Sequence, residues 1–185
     1  GLMAVLGIVH YGDPILRKPC SPVIDFSQMD ALLEDMFDSM YEAEGIGLAA
    51  NQVGLDMNLF IIDITHTEET EEVHVFINSK IIATHGDEEV FLEGCLSLPG
   101  ISLDVARPGN VILKYQTPDE LWHENEFEGL LARAIQHEVD HLNGVFIVDR
   151  VGEIERIQYQ TELKALEKNS RTLMKSQSGK KGFVL

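Results

Sequence analysis

Apolar side chains recur at helical spacing at Met29, Leu32, Leu33, Met36, Phe37, Met40 and Tyr41, which predicts a helix over about 27–43. Ser27 stands where an N-cap belongs, and Asp30 gives the first turn a favourable acid. Residues 5–9 read as a short strand or extended arm, broken by Gly12-Asp13-Pro14 and Lys18-Pro19. Leu59-Phe60-Ile61-Ile62 is a buried strand, and Val73 to Asn78 returns as another, with His74 on its exposed face. Between them Glu68, Glu69, Glu71 and Glu72 form an acidic, solvated tip. Lys80 to Ala83, Glu89 to Leu92, Ile101 to Val105, Asn110 to Gln116 and Leu121 to Phe127 are further strands, with turns at Pro108-Gly109 and Pro118-Asp119. A helix over about 128–142 follows, ended by Asn143-Gly144. A last helix over about 153–168 rests on Ile154, Ile157, Leu163 and Leu166. The predicted fold is α+β: mixed, largely antiparallel β-sheets packed around a central helix, with an N-terminal and a C-terminal helix.

The helix over about 128–142 carries more than packing. At about 100° per residue, Leu130, Leu131, Ala134, Ile135, Val139 and Leu142 share one arc. His137, Glu138 and His141 project within that arc or at its edge, whereas Arg133, Gln136 and Asp140 fall on the other side. Burying three polar groups without partners costs several kcal/mol. A metal ion with a bound water satisfies all three, and two histidines four apart leave the same side of a helix.

A catalytic site of this kind usually has three protein ligands and one open position. Cys95 is the best third candidate, in a turn-like stretch between Gly94 and Gly100. A thiolate with two imidazoles suits Zn²⁺ or Fe²⁺ and disfavours Mg²⁺ or Ca²⁺. The other cysteine, Cys20, has no motif around it and reads as a small buried hydrophobe. Two cysteines make no disulfide framework, which fits a reducing, cytoplasmic setting.

At 185 residues, 44% hydrophobic and 24% charged, the chain reads as a single catalytic domain over 1–185 without internal repeats. A net charge of -17 argues against DNA or an anionic membrane as partner. No apolar run approaches the ~20 residues that span a bilayer. Gly1-Leu2 ahead of Met3 reads as a cloning remnant, and the start lacks the pattern of a signal peptide. Beyond Ser170 there are no acids, but Arg171, Lys175, Lys180 and Lys181 occur, so about 170–185 reads as a mobile basic tail.

Three stretches together carry a resemblance. Gly45-Ile46-Gly47-Leu48-Ala49-Ala50-Asn51-Gln52, Glu93-Gly94-Cys95-Leu96-Ser97 and His137-Glu138-Val139-Asp140-His141 resemble, in order and spacing, the signature motifs of the peptide deformylases of bacteria and organelles. Val9 to Arg17 resembles that family's start, and the likeness spans about 4–168. It implies a metallo-hydrolase that removes the formyl group from N-formylmethionine on nascent chains. It implies one divalent metal on Cys95, His137 and His141: Fe²⁺ natively, with Zn²⁺, Ni²⁺ or Co²⁺ also accepted. Glu138 becomes general base and acid toward a metal-bound water, and the Gln52 amide and the Leu96 backbone N–H become oxyanion donors. Gly45, Ile46, Gly47 and Gly94 match positions along the peptide backbone, and Phe91, Leu130 and Ala134 match the methionine pocket. Arg133 stands where the family often has an aliphatic residue, and its phase places it outward. Glu93, Arg107 and Asp140 are read as an ion-pair cluster behind the ligands. The implied setting is the bacterial cytosol. Independently of the resemblance, the basic tail is a candidate for weak contact with ribosomal phosphates, against the plainer reading of a solvated tail.

Two other classes remain open at the level of sequence. One is a zincin-type metallopeptidase, although the acids after His141, such as Asp149 and Glu153, lack a matching motif. The other is a non-enzymatic metal-binding or ribosome-docking protein, which needs neither Glu138 nor Gln52.

Overall fold

The computed structural model describes residues 5–67 and 69–181, with side chains through Ser176. Gly1-Leu2, Glu68 of the acidic tip and the last four residues of the basic tail lie outside the described residues, as do the Lys180 and Lys181 side chains.

Helix α1 spans Met29–Glu42. Ser27 does not cap it; instead its backbone N–H donates to Asp25 Oδ1 at 2.9 Å in the preceding turn. Strand β1 is Gly47–Ala49, followed by a 3-10 turn at Ala50–Val53, and β2 is Leu59–Ile62. Residues 5–10 form no strand; Val9 N–H donates to the Gln52 carbonyl at 2.7 Å.

All four β2 residues are buried because both faces of the strand are covered. Leu59 and Ile61 pack toward Met36 and Met40 of α1. Phe60 and Ile62 pack toward Ala132, Ile135 and Val139 of helix α2, which spans Gly129–Leu142. Each fully buried large side chain here stabilises the fold by roughly 1.5–3 kcal/mol.

Among the described residues the strands form a single antiparallel sheet, in the order β1-β2-β3-β4-β5. Strand β3 runs His74–Gly94, β4 Ser102–Gln116 and β5 Trp122–Phe127. The sequence suggested three strands over the β3 span and a turn at Pro108-Gly109; each is one long strand. Register shifts around Gly86 and Asp87, between the His85 and Glu88 pairs, let Pro108 sit opposite Glu88 inside the ladder. A proline is tolerated in a strand at such a bulge. His74 is half-buried rather than exposed, stacked on Phe76.

Among the described residues, β3 beyond Ile77 pairs with β4 alone, since β2 covers only His74 to Ile77. Its far half is therefore an edge strand, and its turn, Cys95 to Ile101, is carried over α2. Helix α3 is short, Glu153–Ile157, and α4 is Gln160–Lys181. The single helix expected over about 153–168 is thus two, the second continuing past Ser170. Arg171, Leu173, Met174, Lys175 and Gln177 in that stretch are good helix formers.

Candidate active site

Burial of Ala132, Ile135, Val139 and Leu142 fixes the rotation of α2, so His137 and His141 point the same way. Their Nε2 atoms lie 3.2 Å apart. The β3–β4 turn brings Cys95 over them, with Sγ 3.1 Å from His141 Nε2. The turn is held by Leu98 N–H to the Cys95 carbonyl at 3.0 Å and by Leu98, which is fully buried. Gly100 completes it at φ +80°, a conformation that other residues rarely adopt.

One sulfur and two nitrogens within 4.8 Å of one another form a soft, three-donor set suited to a transition metal. The surrounding bonds fit the same use. His137 Nδ1 donates to Glu93 Oε1 at 2.9 Å, which leaves Nε2 free to ligate. Glu138 Oε1 is buried without a hydrogen-bond partner, beside this set. The residues present therefore fit a bound divalent ion.

Glu93 is the hub of a buried ion-pair cluster. It accepts from Arg107 Nε at 2.7 Å and Nη2 at 3.0 Å, and from Arg133 Nη1 at 2.6 Å. Arg107 Nη1 also donates to Asp140 Oδ2 at 2.9 Å, and Arg150 adds two bonds to Asp140. Burial pushes the Glu93 carboxyl up, but His137 and Arg107 outweigh it and hold it far below the carboxylate range. Burial depresses His137, yet its bonds to Cys95 and Glu93 reverse this and raise it. His141 is driven down by burial and by the positive charge of His137 and Arg107. Burial, with Glu93 and Asp140 nearby, pushes Glu138 up to about 7.

A cavity of about 480 Å³ opens in front of these groups. Gly45, Ile46 and Gly47 line one side, Phe91, Gly94, Cys95 and Leu96 another, and Leu130, Ala134, His137 and Glu138 the floor. Gln52 reaches in from the 3-10 turn: its Oε1 accepts from Ala49 N–H at 2.9 Å and its Nε2 donates to Ser97 Oγ at 3.2 Å. That leaves the amide nitrogen 3.8 Å from Cys95 Sγ. His141, Arg107 and Asp140 stand behind the cavity wall rather than in it. At Gly47 a Cβ would lie 2.6 Å from Glu138 Oε2, and at Gly45 2.7 Å from Leu96 Cδ1. The two glycines thus make room for site residues as well as for a bound backbone.

The family model for polypeptide deformylase matches residues 5–157. The chain belongs to the polypeptide deformylase family. Its deformylase relatives are similar over nearly their whole length. The peptide deformylase of Acidobacterium capsulatum is 45% identical over 83% of this chain and 91% of its own. That of Chromobacterium violaceum is 46% identical over 91% of this chain and 99% of its own. A crystal structure of a peptide deformylase from Legionella pneumophila superimposes with a TM-score of 0.80 at 38% identity, covering 91% of this chain and 98% of that one. As a member of the deformylase family the chain is a metallo-hydrolase, and Cys95, His137 and His141 form a group that could hold a metal ion.

Other residues build this deformylase-family site without having stood out in the sequence. Asn51 Nδ2 donates to the His141 carbonyl at 2.7 Å and ties the 3-10 turn to the end of α2. Ser97 holds the Gln52 amide. Both lie inside the quoted motifs, which was a usable signal. Arg133 was placed outward by its phase but lines the cavity. Glu69, read as merely solvated, accepts Leu130 N–H at 2.9 and 3.0 Å and caps α2.

Proposed function

We propose that the chain removes the N-terminal formyl group from N-formylmethionine of newly synthesised polypeptides, releasing formate and a free α-amine. The observation that carries this is the convergence of Cys95, His137 and His141 on one point, with Glu138 and Gln52 lining the same cavity as Cys95 and His137, beside the β3 edge.

A divalent ion on Cys95, His137 and His141 supplies Lewis-acid chemistry, acidifying water and polarising a carbonyl oxygen. Every other task falls to the chain. Glu138 Oε1, buried and unpartnered, takes a proton from the attacking water and delivers it to the amine nitrogen as the C–N bond breaks. The Gln52 side-chain amide and the Leu96 backbone N–H donate to the oxygen where negative charge develops; one such donor is worth about 2.7–4 kcal/mol. The edge of β3 at Gly94 and the backbone at Gly45, Ile46 and Gly47 receive the peptide in extended form. Phe91, Leu130 and Ala134 offer an apolar wall to the methionine side chain. Glu93 orients His137, and Arg107 with Asp140 holds Glu93 in place.

The ligand set suits Fe²⁺ as the native ion, with Zn²⁺, Ni²⁺ or Co²⁺ as substitutes. The setting is the bacterial cytosol; among the described residues no helix is long and apolar enough to cross a membrane. Basic residues of α4, including Arg171 and Lys175, support a weak contact with ribosomal phosphates. The whole chain acts as one catalytic domain.

The test is formate release from formyl-Met tripeptides by anaerobically purified protein whose metal content is measured on the same sample. Turnover in proportion to bound metal is expected. Cleavage of internal peptide bonds without formate release overturns the proposal in favour of a peptidase.

A further inference from the structure

Arg133 lies at the turn of α2 that faces the β3–β4 ribbon, and its side chain is only 10% exposed. Its guanidinium makes contacts to both strands of that ribbon at once. Nη2 donates to the Glu89 carbonyl of β3 at 2.7 Å. Nη1 donates to the Val105 carbonyl of β4 at 2.8 Å and to Glu93 Oε2 at 2.6 Å. Its Cζ lies 5.0 Å from the centre of the Phe91 ring, and Phe91 pairs with Val105 across the ladder. Both Arg133 and Phe91 line the cavity.

The Phe91 ring is otherwise half in solvent, at 54% exposure, on a strand that among the described residues has a partner on one side only. An edge strand of this kind opens and shifts readily unless something holds it. A planar fork with donors in fixed directions can bind three acceptors and stack on a ring at the same time; a lysine ammonium cannot.

We infer that Arg133 is a positioning and specificity-determining residue: it clamps the β3 edge to α2 and sets, through Phe91, the depth of the pocket for the substrate's first side chain. This rests on the deformylation reading for its substrate but not for its mechanics. The clamp fixes Glu89 and Glu93, and so the stretch between them that includes Phe91. A floating Phe91 gives a pocket of variable depth, which holds methionine less well and tells it less sharply from a smaller residue.

The test compares Arg133→Met, which removes all three donors, with Arg133→Lys, which keeps the charge without the fork. Hydrogen–deuterium exchange over residues 88–94 in metal-loaded protein needs no substrate. In Arg133→Met it is expected to accelerate by about tenfold there. With formyl-Met tripeptides KM is expected to rise about tenfold while kcat falls less than about threefold. The preference for formyl-Met over formyl-Ala peptides shrinks in parallel. Arg133→Lys is expected to fall between the two proteins in each measurement, and it carries the comparison if Arg133→Met does not fold. Exchange and KM at the unsubstituted level in Arg133→Met overturn the clamp, as does full restoration by lysine, which would leave charge alone as the cause. Faster global unfolding with an unchanged formyl-Met to formyl-Ala ratio also overturns it. If the unsubstituted protein releases no formate, the deformylation reading fails, and the exchange measurement still decides the clamp.

Discussion

The tightest fit in the site is between a glycine and a carboxylate. Gly47 leaves no space for a methyl group because Glu138 Oε2 occupies it, while Glu138 Oε1 has no bond of its own. In the proposed function that side chain carries the proton, and two substitutions separate its role from that of the ligands. Glu138→Ala is expected to keep its metal and to lose turnover by about 10²–10⁴-fold, the usual worth of a positioned proton carrier. Metal analysis and formate release on one sample check this, and unimpaired turnover removes Glu138 from the role. Cys95→Ala is expected to lose most of its metal at equal protein concentration, because two imidazoles alone leave the ion short of donors. Full occupancy in that variant takes Cys95 out of the set. These residues were legible in the sequence because their chemistry is unusual: two histidines four apart on an apolar arc demand a partner. Arg133 was not legible. Its phase on the helix points away from the core, and only the length of its side chain, meeting acceptors on strands far away in the chain, brings it back.

At the scale of elements, α2 was readable as a helix but not as a helix buried on every side. Gln136 and Asp140 look outward by period, yet both are buried under the β3–β4 ribbon. Gln136 Nε2 bonds the Pro108 carbonyl at 3.0 Å, and Asp140 bonds Arg107 and Arg150. A period separates polar from apolar faces; it does not tell a solvated polar face from one satisfied by another element. The long strands failed to show for a related reason. Pro108-Gly109 is a turn signal locally, and only the bulge in the facing strand cancels it. The start of α2 is held in the same non-local way. Glu69 comes from the β2–β3 loop to accept Leu130 N–H, and a carboxylate at a helix N-terminus also favours the helix dipole. Glu69→Ala is therefore expected to lower the unfolding free energy by about 1 kcal/mol at equal metal load. Glu71→Ala, exposed in the same loop, is expected to change it by less than about 0.5 kcal/mol. Urea unfolding of the two variants measures the difference, and equal midpoints refute the cap.

Across the whole molecule, the first and last described segments meet behind the metal site. Ser170 Oγ of α4 donates to the Tyr11 carbonyl at 2.9 Å and is 3.3 Å from that of His10. Tyr11 packs edge-on against Phe146 at 5.0 Å, and Phe146 against the His141 ring at 5.7 Å. Tyr11 N–H also donates to the Ser97 carbonyl at 2.9 Å, beside the Gln52 contact. The N-terminal arm is thus a wedge between α4 and the wall that carries His141. Neither the net charge nor any local pattern announces this meeting, since its partners are more than a hundred residues apart. Gly12 is where the wedge is narrowest. It has φ +103°, and a Cβ there would lie 2.6 Å from Glu167 Cα, a backbone atom that cannot swing aside. Gly12→Ala carries two costs, about 1–3 kcal/mol for the backbone conformation and a similar amount for overpacking, partly relieved by movement of α4. A loss of about 2–4 kcal/mol in unfolding free energy is expected. Gly7→Ala is the control, because nothing lies within 4 Å of its Cβ position, and a change of under about 0.5 kcal/mol is expected there. If the two variants unfold at the same urea concentration, α4 does not clamp the arm. If Gly12→Ala alone is weakened, and loses metal faster to a chelator at the same temperature, the wedge reaches the site through Phe146 and His141.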